Sequence, residues 1–229
     1  MKICVIPARG GSKRIKKKNI KIFCGQPIIS YPIKEAIQSK VFDEIIVSTD
    51  DDQIAEIALD FGAVVPFKRP STISGDISTT LEVIQHSINF KENNNQIDIV
   101  CCLYPTAVFI ESIDLQNAYN LSKMNKSKIL LCATEYSHPI ERSFTLDEDG
   151  ITKLRYEDLA NYRTQDLKKS FHDAGQFYFG SSSIWKTREN LINNAIPYIL
   201  PSWRVNDIDT LDDWRKAELI YKLLKQMNK

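Results

Sequence analysis

No apolar run in the sequence approaches the roughly 20 residues needed to cross a bilayer, and neither sign of charge prevails. Thirty Lys and Arg stand against 29 Asp and Glu, a net of +1. The first lack excludes a membrane-spanning helix. The second, beside 43% hydrophobic residues, excludes a disordered chain. Histidine is scarce, with three among 229 residues, and no Ser/His/Asp triad or Cys/His pair can be argued. The five cysteines are odd in number and contain no Cys-x-x-Cys pair, which argues against a disulfide framework or a zinc site. Cys4, Cys101, Cys102 and Cys132 lie in apolar strand-like runs, where a free cysteine packs as a small hydrophobe. The glycines form neither the GxxxxGK[ST] loop nor GxGxxG, which disfavours a nicotinamide-dependent oxidoreductase. The apolar opening Met1–Pro7 is too short for a secretion signal, so a cytoplasmic location is expected.

A chain of this length suits a single domain, residues 1–229, with ample core. Lys2–Pro7, Glu44–Ser48, Ala63–Phe67, Ile97–Tyr104 and Lys128–Thr134 read as strands, and helical patterns alternate with them. Thr49 or Asp50 is placed to cap the helix that runs to Phe61. These βα steps predict an α/β fold: a Rossmann-like, mostly parallel sheet with helices on both faces. After Tyr136 the rhythm breaks. His138–Leu154 reads as two strands around Asp147-Glu148-Asp149-Gly150, where Asp-Gly favours a tight turn, and Tyr156–Phe171 is polar and irregular. Residues 137–171 are therefore an excursion from the α/β core, suited to self-association as a homodimer. Gly175–Gly180 and Pro197–Leu200 return as strands. A closing helix follows, with Thr210 as its N-cap and Asp212 and Asp213 in its first turn.

Charge is concentrated in one place. Arg9, Lys13, Arg14, Lys16, Lys17, Lys18 and Lys21 fall within thirteen residues that hold no acid. The rest of the chain keeps 23 basic against 29 acidic residues. A nucleic-acid surface is disfavoured, because no aromatics are interleaved and the acidic body repels phosphate. A compact polyanion such as a nucleoside triphosphate suits this loop better, since Gly10 and Gly11 let the backbone turn and approach a ligand. Two further strand-end segments carry polar groups. In Asn206-Asp207-Ile208-Asp209-Thr210, acids at i and i+2 on extended backbone point the same way and can share a hard cation such as Mg²⁺, although Asp209 can also serve only the helix cap. Ser170–Gln176 brings His172, Asp173 and Gln176 toward a strand, where they could face a substrate. Arg69 stands alone and ambiguous. Tyr178, Phe179, Trp185 and Trp214 are expected in the core.

The stretch Ile6-Pro7-Ala8-Arg9-Gly10-Gly11-Ser12-Lys13-Arg14-Ile15, continuing to Lys18-Asn19, resembles the signature of the CMP-sialic acid synthetase family. Ile46-Val47-Ser48-Thr49-Asp50 and Ile208-Asp209-Thr210 resemble two further blocks of that family in the same order. Tyr104-Pro105-Thr106-Ala107-Val108-Phe109, Gln165-Asp166-Leu167 and His172-Asp173-Ala174-Gly175-Gln176-Phe177-Tyr178 are similar to the branch acting on pseudaminic acid, from which Pro105 and Val108 depart. The resemblance implies a sheet of the nucleotide-diphospho-sugar transferase type. It also implies a reaction: the anomeric hydroxyl of a nine-carbon keto-acid sugar attacks the α-phosphorus of CTP, giving a CMP-sugar and pyrophosphate. Position by position, it assigns Ala8, Arg9, Gly11, Ser12, Lys13, Lys18 and Asn19 to the nucleotide loop, and Arg69, Ser78 and Thr80 to cytosine and ribose. Asp207 and Asp209 become the Mg²⁺ acids, and Tyr104, Thr106, His172, Asp173 and Gln176 the sugar readers. Arg9 and Lys13, with the two acids, carry the chemistry. Rival expectations are a cytidylyltransferase for sialic or legionaminic acid and a non-catalytic nucleotide-binding domain. The 3-deoxy-octulosonic branch fits less well, because its loop differs from Gly10-Gly11-Ser12-Lys13.

Overall fold

The computed structural model describes residues 1–93, 96–187 and 189–227. Six strands form the central sheet: β1 (Lys2–Pro7), β4 (Glu44–Ser48), β5 (Ile99–Leu103), β6 (Leu130–Glu135), β9 (Phe171–Ser181) and β10 (Ile196–Ile199), in the spatial order β10-β6-β9-β5-β1-β4. Two short strands, β2 (Ile22–Phe23) and β3 (Gln26–Pro27), pair as one hairpin, and β7 (Phe144–Leu146) with β8 (Thr152–Leu154) as another. The helices are α1 (Ser30–Ser39), α2 (Asp52–Asp60), α3 (Thr80–Glu92), α4 (Ser112–Met124), α5 (Ser182–Thr187) and α6 (Leu211–Met227).

Alternation along the strands builds two cores. Cys4 and Ile6 of β1, Cys101 and Leu103 of β5, and Phe177 and Phe179 of β9 pack on one face with Ile33 of α1 and Leu115 of α4. Ile3, Val5, Val100, Cys102 and Tyr178 pack on the other, with Ile84 of α3 and Trp185 of α5. Strands buried on both faces explain their unbroken apolar runs. Cys4, Cys101, Cys102 and Cys132 are wholly buried there, and all five thiols are free. A third core joins α6 to the β2–β3 hairpin, where the Phe23 ring meets the edges of Trp214 and Tyr221, each at 5.5 Å.

β4, β1, β5, β6 and β10 share one direction, as the βα rhythm predicts. β9 does not: it lies antiparallel between β5 and β6. The stretch expected as a third strand, Ala63–Phe67, is reduced to two isolated parallel bridges, Ile46 with Val64 and Thr49 with Lys68. Neither Thr49 nor Asp50 caps α2. Asp51 does, its carboxylate accepting from the Gln53 and Ile54 amides at 2.9 and 3.0 Å. The excursion forms the expected hairpin, with Gly150 at φ 78°, and its strands lie wholly exposed. Among the described residues, no helix is long and apolar enough to cross a membrane.

Candidate active site

The ends of β1 and β5 and the segment leading into α6 place three stretches of chain around one cavity of about 250 Å³. The first is the basic loop after β1. Its turn depends on Gly10, where an added Cβ would lie 2.7 Å from an Asp51 carboxylate oxygen. The Gly10 amide donates to Asp50 Oδ1 at 2.9 Å, while Gly11 faces open space. Asn19 is buried, and its amide nitrogen donates to the Arg9 carbonyl at 3.0 Å. The loop is thus closed from within and turns Arg9, Ser12, Lys13 and Lys18 to the cavity. Ala8 is buried beneath it, its amide bonded to the Ser48 carbonyl at 2.9 Å.

The second segment leads into α6. Lys18 Nζ spans 190 positions of sequence to reach the Ile208 carbonyl at 2.7 Å and the Asp209 carboxylate at 3.2 Å. Arg14 grips the same carboxylate at 2.8 Å. Asp207 and Asp209 both line the cavity. Desolvation by surrounding protein, then the neighbouring Asp209 charge, push the Asp207 carboxyl above the usual carboxylate range, although part of Asp207 remains in contact with solvent.

The third segment is the end of β5 with its neighbours. Tyr104-Pro105-Thr106-Ala107 closes a turn through the Ala107 amide and Tyr104 carbonyl at 3.1 Å, with Pro in the position that pre-sets its backbone. Tyr104 and Thr106 therefore face the cavity. The Tyr104 amide donates to Gln176 O at 2.8 Å, and its hydroxyl meets Thr80 Oγ1 at 2.8 Å. Burial pushes that phenol up to about 12. Asp173 accepts from the Tyr178 hydroxyl and from the Gly175 amide. Gln176 is 2% exposed; its amide nitrogen donates to the Ala174 carbonyl, while its Oε1 is buried without a partner.

Arg69 is no solvated arginine. It is 5% exposed, and it donates through Nε to Ser48 Oγ at 3.0 Å and through a terminal nitrogen to the Ser48 carbonyl. Burial pulls its guanidinium down to about 10. Thr80 is the first residue of α3 and Ser78 lies two residues before it; of these two, Thr80 reaches the cavity wall through Tyr104. His172, Asp173 and Gln176 of β9 stand outside the cavity lining, as do Arg69, Ser78 and Thr80. Of the three on β9, His172 lies nearest the start of the strand. Its ring lies 4.7 Å from that of Tyr136, and its Nδ1 is 2.9 Å from the Asp173 carbonyl. Nothing in the sequence pattern singles out Arg14, Asp50 or Asp76 as site residues. Arg14 is one of seven cations in the basic run, Asp50 one of three consecutive acids at the start of α2, and Asp76 a lone charge in a polar segment.

No group of three or more His, Cys, Asp and Glu side chains is gathered for a metal among the described residues. The chemistry of Asp207 and Asp209 still fits Mg²⁺. That ion takes one or two carboxylates plus substrate phosphates rather than an all-protein cage, and a cation offsets both the desolvation and, second to it, the Asp209 repulsion that raise the Asp207 carboxyl.

The cytidylyltransferase family profile matches residues 3–205, ending just short of the two acids. A pseudaminic acid cytidylyltransferase of Campylobacter jejuni is 44% identical over 96% of each chain. A CMP-N,N'-diacetyllegionaminic acid synthase of Legionella pneumophila is 30% identical over 96% of each. Among solved structures, a CMP:2-keto-3-deoxy-manno-octonic acid synthetase complexed with CTP superposes with a TM-score of 0.72 at 16% identity, covering 97% of this chain and 98% of its own. That likeness is one of fold.

Proposed function

Because the chain belongs to the cytidylyltransferase family and is a nucleotidyltransferase, we propose that it transfers CMP from CTP to the anomeric hydroxyl of pseudaminic acid, releasing pyrophosphate. The observation that carries this reading is the meeting of the basic loop with Asp207 and Asp209 in one cavity, tied together by Lys18. Arg9 and Lys13 receive the triphosphate and balance the charge that develops on the departing pyrophosphate. Ser12, Lys18, Asn19 and the open backbone at Gly11 complete the phosphate cradle. Buried Arg69, with Ser78 and Thr80, holds the cytidine end. Asp207 and Asp209 hold Mg²⁺, which when bound supplies charge neutralisation and lowers the pKa of the attacking hydroxyl.

Tyr104 and Thr106 of the cavity lining, with His172, Asp173 and Gln176 of β9, are assigned to the sugar. The 44% identity to the Campylobacter jejuni enzyme, against 30% to the legionaminic acid synthase at the same coverage, supports pseudaminic over legionaminic acid. A site that hydrogen-bonds one pattern of hydroxyls rejects another strongly, because buried donors and acceptors are left unpaired. Incubation with CTP, Mg²⁺ and a panel of nonulosonic acids, followed by pyrophosphate release, tests the assignment. We expect kcat/KM for pseudaminic acid to exceed that for N-acetylneuraminic acid at least about a hundredfold. Equal or reversed preference moves the protein to a sister branch. We also propose that it works in the cytoplasm as a homodimer assembled through residues 137–171, whose exposed Phe144, Leu146 and Ile151 suit a protein contact.

A further inference from the structure

Asp76 lies in the polar segment between Arg69 and α3, far from the basic loop in sequence, yet it meets two of that loop's cations. Arg9 donates to Asp76 Oδ1 at 2.7 Å, and Lys13 pairs with its other oxygen, Oδ2. One carboxylate thus uses both oxygens to bridge the two side chains placed above at the triphosphate. Those cations, and Lys13 above all, pull the Asp76 carboxyl below its ordinary value. The contact leaves capacity on both partners, since a guanidinium has five donors and an ammonium three, and Asp76 claims only part of each.

The position matters as much as the bond. On one side of Asp76 stands Arg69, anchored to Ser48. On the other stand Ser78 and Thr80, with Thr80 bonded to Tyr104. The cytidine end and the phosphate end of the nucleotide site therefore belong to two separate chain segments. Among the described residues, Asp76 is the side chain of the 70–79 segment that ion-pairs with the basic loop. We propose that Asp76 is a positioning residue: it struts the cytidine-binding segment against the phosphate loop and so fixes the span between the two subsites. This rests on the CTP reading above.

An alternative role has the opposite sign. A carboxylate that merely occupied Arg9 and Lys13 would compete with phosphate, and its removal would tighten every phosphate ligand. A strut acts only on a ligand that touches both ends.

The test is calorimetric binding of CTP and of inorganic tripolyphosphate to the wild-type protein and to Asp76→Asn, with Asp76→Ser as a second variant. The strut predicts that CTP binding weakens about tenfold while tripolyphosphate binding is unchanged or tightens, so that the ratio of the two affinities falls. In turnover, KM for CTP should rise while KM for the sugar stays put. A loss of fold would weaken both ligands together, and equal weakening overturns the proposal. Unchanged or tighter CTP binding in both variants also overturns it, leaving CTP as the substrate. Failure of the wild-type protein to bind CTP overturns the nucleotide reading and the strut with it.

Discussion

Lys13 and Lys17 stand four residues apart in the same basic run, and their surroundings differ. Lys13 reaches across to Asp76 at the cavity mouth. Lys17, in left-handed backbone at φ 53°, turns away and donates to Gln53 Oε1 of α2 at 2.5 Å. Lys13→Ala should therefore cost about 2–4 kcal/mol of transition-state stabilisation in kcat/KM, and Lys17→Ala close to none. Equal losses in steady-state assays would mean that the loop acts only as a diffuse field. Asp207 carries a second contrast, between stability and function. Its carboxyl is raised in the folded chain, so folding gains from it below the unfolded carboxylate value and loses that gain as pH rises through the raised one. Asp207→Asn should then melt slightly higher than wild type at pH 7 and no higher at pH 3, while turnover with Mg²⁺ and CTP falls by orders of magnitude. Asp209→Asn should share the loss of turnover. Its gain in stability is not expected, because Asp209 is held by Arg14 and Lys18.

The start of α6 shows how an element holds a site residue in place. Thr210 Oγ1 accepts from the Asp213 amide at 3.2 Å, and the Asp213 carboxylate accepts from the Thr210 amide at 2.8 Å, so the cap is reciprocal. That carboxylate also accepts from the Asp209 amide at 3.2 Å. Thr210→Ala should cost about 1 kcal/mol of stability by denaturant titration and should also lower activity, because it loosens the residue beside Asp209. This cap was legible in the sequence, as were the βα alternation, the Gly150 hairpin and the apolar strands. The direction of β9 was not. An apolar run records that a strand is buried, not which way it travels. The β2–β3 hairpin escaped notice because its strands are two residues each, although Cys24-Gly25 at φ 44° and 99° marks a primed turn. The site was legible where residues cluster along the chain, as in the basic loop and the Asp207–Asp209 pair. It was illegible where single charges such as Asp76 and Arg14 acquire meaning only from partners distant in sequence.

At the scale of the whole molecule, the exposed hairpin is the feature without a partner. Phe144 is 55% exposed, Leu146 64% and Ile151 63%. Substituting Leu146 by Lys should leave the α/β core untouched, since the side chain is 64% exposed and belongs to neither sheet core. Sedimentation at micromolar concentration should show a dimer for the wild-type chain and a shift to monomer for L146K; a wild-type monomer with full activity would sink the assembly. The reversed strand has a consequence of another kind. Among the described strands, β9 is the one that stitches β4-β1-β5 to β6-β10, since β5 and β6 are not paired with each other. During synthesis the chain must pass residue 171 before that seam can close. Until then β5 presents a raw, hydrophobic edge built of Ile99–Leu103, the kind of template on which nascent chains stick to one another. A chain arrested between the excursion and β9 would hold the β4-β1-β5 half-sheet beside a lone β6, because β10 also lies beyond the break.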